Sequence, residues 1–269
     1  MPTKEQIAAR NNVRIIGSGQ KTLMLAHGFG CDQNMWHYLT PELSAHYTLV
    51  LFDHVGSGKS QLSAFSPSRY ASLEGYARDV VEICQALDLT DVHFVGHSVS
   101  GTIGLLASLS EPGRFASHIM VCPSPCFLND PPDYHGGFKR ADLEELVELM
   151  DRNYIGWASY LAPLVMGTHS SDALIGELAD SFCSTDPLVA KTFAQATFFA
   201  DYRHLLPAAK HPALLLQSGT DALADENVGK YMHARMPRST LRILPTEGHC
   251  IHMTHPDLVG KEIRAYLDQ

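Results

Sequence analysis

Phe94-Val95-Gly96-His97-Ser98-Val99-Ser100-Gly101 is the stretch from which the fold can be read. Val92-His93-Phe94-Val95 ahead of it is a short apolar, β-branched and aromatic run, the pattern of a buried strand. Behind it Ile103, Leu106 and Leu109 recur at helical spacing, so a helix opens there. A serine wedged between strand and helix, with glycine two residues earlier, is the signature of a nucleophile elbow. Such a turn is tight enough to strain the nucleophile's backbone, and it demands small neighbours two residues to either side. Ser100 stands at plus two where glycine is usual; it is still small, and Gly101 is next.

A serine needs a base, and the base needs an orienting carboxylate. In this architecture they come in the order Ser, Asp, His, each in a loop after a late strand. The apolar run Ala213 to Gln217 is followed by Ser218-Gly219-Thr220-Asp221, and Thr240 to Leu244 by Pro245-Thr246-Glu247-Gly248-His249. Ser98, Asp221 and His249 are therefore expected at one edge of the sheet as a catalytic triad. Asp225 sits where a helix N-cap belongs, Glu247 lies in the wrong loop, and His255-Pro256 reads as a helix start. Gly248 frees the chain to turn His249 inward, which favours it over nearby His252. Backbone amides of Val99, after the nucleophile, and Phe29, in His27-Gly28-Phe29-Gly30, are the candidate oxyanion hole.

Earlier in the chain, Val13 to Ile16, Gly17-Ser18-Gly19 and Thr22 to Ala26 read as a hairpin. A helix carrying Met35, Trp36 and Leu39 comes next, then a strand Tyr47 to Phe52 and a helix Arg69 to Leu87. A strand from His118 to Cys122 comes after the elbow, and after Gln217 come helices Asn227 to Met236 and Pro256 to Leu267. Continuous apolar strands alternating with helices mean a mostly parallel sheet covered on both faces, an α/β fold. Residues 126–204 show helical patterns and no convincing strand. They are expected to form a lid over the carboxyl ends of the strands, on a core of residues 1–125 and 205–269.

At 269 residues and 45% hydrophobic, the chain can bury one large core. No apolar run approaches the roughly 18 to 20 residues that span a bilayer, and the polar start Met1 to Gln6 lacks a signal peptide's apolar centre. Together these point to a soluble, cytoplasmic protein. A net charge of -9 without basic runs argues against nucleic acid or an anionic membrane as partner. The six cysteines are scattered, and Cys122 and Cys126 have no second pair to complete a zinc site, so no metal is expected. The fifteen histidines are expected mostly at the surface. Gly56-Ser57-Gly58-Lys59-Ser60 looks like the end of a phosphate-binding loop. However, Asp53 stands where its first glycine belongs, and Pro67 interrupts the helix such a loop requires behind it. It reads as a turn, with Asp53 bonding local amides.

With these residues in place, the sequence resembles an α/β-hydrolase of the RsbQ-type group, which is similar to the plant karrikin and strigolactone receptor hydrolases. The resemblance covers nearly the whole chain. It rests on His27 to Gln33, Phe52 to Gly58, the elbow, Pro123-Ser124-Pro125, Leu128 to Pro132, Asn153 to Trp157, Phe182 to Pro187, and Glu247 to Cys250. Serine at position 100 is a habit of that group. The resemblance implies a sheet of about seven strands and a four-helix lid over a deep apolar pocket. Ser98, Asp221 and His249 would lie at its floor, and Phe29, Phe138, Trp157 and Phe198 would line it.

The sequence supports two readings of function. One is a serine hydrolase that cleaves an ester or lactone of a small hydrophobic molecule through an acyl-enzyme, with no metal or organic cofactor. The other, which the resemblance supports, is a ligand sensor that turns over slowly and acts on a protein partner such as a PAS-domain phosphatase.

Overall fold

The computed structural model describes residues 3–269; Met1 and Pro2, where the polar N-terminal stretch begins, lie outside the described residues. The chain opens with α1 (Lys4–Arg10), β1 (Arg14–Ile16), β2 (Thr22–Ala26), α2 (Thr40–Ser44) and β3 (Thr48–Phe52). It continues through α3 (Leu73–Ala86), β4 (Val92–His97), α4 (Val99–Ser110) and β5 (Phe115–Val121). Four helices come next: α5 (Arg140–Arg152), α6 (Tyr154–Met166), α7 (Asp172–Cys183) and α8 (Pro187–Phe198). The last part is β6 (Ala213–Thr220), α9 (Glu226–Arg235), β7 (Ser239–Glu247), α10 (Ile251–Thr254) and α11 (Pro256–Leu267). Among the described residues no helix is long and apolar enough to cross a membrane.

The strands form one seven-stranded sheet in the order β1-β3-β2-β4-β5-β6-β7, parallel except where β1 meets β3. Successive side chains point to opposite faces, as the pleat requires. Leu23, Leu25, Val95, Ile119 and Leu214 pack on one face with Trp36, Leu39 and Ile263. On the other face Met24, Ala26, Val50 and Phe94 pack against Tyr76, Val80, Ile83 and Ile103 of the helices. The five inner strands are covered on both faces, which is why they read as unbroken apolar runs.

Two expectations are corrected. β1 and β2 are not a hairpin: β3 lies between them, antiparallel to β1 and parallel to β2. Gly17 and Gly19 are there because the link crosses the entry to β3. Cβ atoms on them would stand 2.2 Å from the Tyr47 carbonyl oxygen and 1.9 Å from that of His46. Alternation identifies a strand but not its partner. The helix around Met35 and Trp36 is instead a 3-10 turn, Gln33–Trp36, capped by Asp32, and the separate α2 restarts with Pro41 near its first turn. Most of the fifteen histidines are at or near the surface, as expected, but six, His27, His54, His97, His118, His249 and His252, are buried.

Candidate active site

The elbow forms where β4 runs directly into α4. Ser98 takes φ 56° and ψ −124°, a region that L residues avoid, and its N–H donates to the Val121 carbonyl at 2.8 Å. Gly96 is obligatory here: a Cβ would lie 2.5 Å from the backbone oxygen of Ser100. The hydroxyl of Ser100 is more than a tolerated substitute for glycine. It donates to the carbonyl of His27 at 2.5 Å, which leaves its oxygen to accept from Nε2–H of His54 at 2.9 Å. The backbone N–H of His54 in turn donates to Nε2 of His27 at 3.0 Å, fixing that ring as the Nδ1–H tautomer. Both rings are neutral, since burial holds each below the usual histidine range.

Asp221 comes after β6, and His249 after β7 through Gly248 (φ 91°). Nδ1–H of His249 donates to Oδ2 of Asp221 at 2.7 Å, with both side chains almost fully out of water. The other carboxylate oxygen accepts from the amides of Leu223 at 2.8 Å and Ala224 at 3.2 Å, so the acid is held at both ends. The amide of His249 donates to the Val165 carbonyl in α6 at 2.7 Å. Gly248 fits beneath Met166, whose carbonyl oxygen a Cβ would meet at 2.2 Å. Nε2 of His249 is buried, makes no hydrogen bond, and belongs to a ring lining the same cavity as Ser98. Val99 is the first residue of α4, so its N–H has no acceptor within the helix. Phe29 lies in the loop after β2.

The cavity is small, about 30 Å³. Phe29 and Phe198 line it with Phe127, Val165, Leu178 and Phe182. It is not the deep pocket expected, because these side chains close over it. Trp157 stands one layer behind, its ring centroid 5.2 Å from that of Phe182 and 6.0 Å from that of Phe29. Phe138 does not share the cavity. It lines an outer apolar groove of about 450 Å³ between α5 and α6, with Leu146, Leu149, Tyr160, Leu161 and Leu164. Leu223 is common to groove and cavity. A larger hollow of about 640 Å³, at the outer seam of α7 and the β7 loop, contains neither Ser98 nor His249. Phe127, Val165, Leu178, Phe182 and Leu223 are not evident as site residues in the sequence. Only Leu223, two residues after Asp221, carries a positional signal.

The competing side chains have other work. Asp225 caps α9 by accepting from the Asn227 amide at 2.6 Å. Glu247 accepts from the amide and hydroxyl of Thr168 at 2.8 and 2.7 Å. His255 precedes α11 at the surface, and His252 is buried against Trp36. Asp53 accepts from the amides of Gln33 and Lys59, both at 2.9 Å, which pins the glycine turn that looks like a phosphate loop. Cys122 puts a thiol within 4.8 Å of ligand atoms of Asp221 and His249. Burial and the neighbouring carboxylate push that thiol well above its usual range, and the imidazole proton is engaged with Asp221. The thiol would have to lose its proton, and Nδ1 of the imidazole could ligate only by giving up its bond to Asp221, so the donor set fits a metal poorly.

A family model described as alpha/beta hydrolase fold matches residues 21–256. Over 250 residues the chain is 40% identical to the karrikin insensitive 2 receptor CA of Petunia hybrida, spanning 93% of this chain and 92% of that one. It is 34% identical over 257 residues to a strigolactone esterase of Arabidopsis thaliana, 95% of this chain and 96% of that one. A solved hydrolase from Oleispira antarctica superposes with a TM-score of 0.98 at 56% identity, covering 100% of this chain and 98% of that chain.

Proposed function

The chain belongs to the alpha/beta-hydrolase family, and from that membership we propose that it is a serine hydrolase cleaving an ester or lactone bond in a small hydrophobic molecule. His249 takes the proton of Ser98 while Asp221 holds the imidazole in its Nδ1–H tautomer and offsets the charge of the imidazolium. Ser98 attacks the carbonyl, and the amides of Phe29 and Val99 receive the oxyanion. Each such donor typically contributes about 3 kcal/mol to the transition state. The imidazolium returns its proton to the leaving oxygen, and water then resolves the acyl-enzyme by the same route. Residues 126–204 serve as the lid. The apolar groove beyond Leu223 suits the hydrophobic part of the substrate.

One observation carries this reading: a strained serine and a buried histidine, the latter joined at 2.7 Å to Asp221, come from distant loops to line one cavity. A serine-directed phosphonate with peptide mapping tests it. The native protein labels at Ser98 and Ser98→Ala does not, with turnover lower in that variant by on the order of 10⁴-fold or more. Labelling at another residue, or equal labelling of both proteins, overturns the assignment.

The small size of the cavity and the receptors among the relatives favour a second reading. In it the protein is a sensor that binds or slowly hydrolyses a small hydrophobic ligand and acts on a protein partner, such as a PAS-domain phosphatase. Rapid turnover across a panel of simple esters selects the enzyme. Very slow turnover with a ligand-dependent change in helices α5 to α8 selects the sensor.

A further inference from the structure

His97, the residue immediately before Ser98, has no part in the catalytic steps, yet its ring touches both the loop that carries Phe29 and the loop that carries His249. Its Nε2 lies 3.0 Å from the carbonyl oxygen of His249, so Nε2 carries the proton and donates it. Its opposite edge lies against Gly28, where a Cβ would stand 2.5 Å from Nδ1. Gly28 is covalently next to Phe29, the candidate oxyanion donor. Its ring centroid lies 4.9 Å from that of His249 and 4.4 Å from that of His252, both rings tilted against it, and Trp36 lies 4.6 Å beyond His252. We infer that His97 is a positioning residue: one neutral imidazole sets the spacing among the nucleophile, the oxyanion loop and the base. This inference rests on the hydrolase reading.

The chemistry suits a spacer. His97 is fully enclosed, and burial beside two further histidines holds its ring well below the usual range. His252 is held down to about 3. Burial favours the neutral form of both rings, and a neutral His97 donates from Nε2. An aromatic of similar size would keep the packing and lose the donor. A glutamine would keep a donor near the same place.

The test compares His97→Phe and His97→Gln with the native protein on 4-nitrophenyl acetate. It also tracks phosphonate labelling of Ser98 and the low-field proton resonance of Nδ1–H on His249. His97→Phe is expected to lower kcat and the labelling rate by about 10- to 100-fold, the effect of a misplacement near 1 Å, with KM within about twofold. The resonance moves with it. His97→Gln restores most of the rate and returns the resonance. Native kcat and an unmoved resonance in both variants would overturn the inference. So would equal losses in both that track their loss of folded protein. If the native protein itself fails to label at Ser98, the hydrolase reading falls, and the resonance still decides whether His97 positions His249.

Discussion

Ser100 shows how one hydroxyl can join two loops. It gives its proton to the carbonyl of His27 and takes one from His54, tying the loops after β2 and β3 to the start of α4. Ser100→Ala would leave both groups buried and unpaired, so unfolding in urea should show a loss of about 1–3 kcal/mol while the labelling of Ser98 persists. Ser98, Asp221 and His249 come from strand-end positions that the sequence exposes, because strand ends and turn glycines are local signals. The cavity wall is different. Val165, Leu178 and Phe182 meet Ser98 only through packing between distant helices, and no local periodicity records such a meeting. Histidine burial is hidden for a related reason: the ring is as content in a stack of aromatics as in water, so its type says little about its depth.

At the scale of elements, α1 is too short for apolar periodicity to reveal, although Thr3 and Gln6 form a reciprocal capping box that the sequence spells out. The helix is clasped to α3 by charge. Arg10 lies 3.3 Å from Asp79 and also pairs with Glu82, while Arg69 pairs with both acids and the Tyr70 hydroxyl donates to Asp79 at 2.9 Å. Burial pushes the carboxyl of Asp79 up despite two guanidinium groups, so desolvation outweighs their pull, and the cluster fixes geometry more than it adds stability. Removing the acid alone strands those guanidiniums. Asp79→Ala should therefore cost about 3–5 kcal/mol in urea unfolding. The sheet itself is legible in its strands and their mostly parallel sense, but the placement of β3 between β1 and β2 is not, because pairing is settled by the crossover and not by the alternation.

For the whole molecule, the buried histidines set the response to acid. His54, His97, His118 and His252 all ionise below the ordinary 6.5 because burial disfavours their cations, the last two near 3. The unfolded chain binds protons at these four sites as pH drops below 6.5, and the folded chain does not. Their share of stability is thus intact above 6.5 and drains away below it, each contributing up to about 1.4 kcal/mol per pH unit. Asp79 works in the opposite sense but is a single group. Chemical denaturation between pH 7 and about 4.5 should show a steep fall, and His118→Phe, far from Ser98, should flatten it by about one proton. The His249 amide, bonded to the Val165 carbonyl, ties the loop after β7 to α6. Because that bond joins the two segments, any displacement of α6 would have to break it or carry the His249 loop along. Deuterium uptake at the His249 amide should then keep time with that of α6, and uptake at the native rate with α6 held down would break the link.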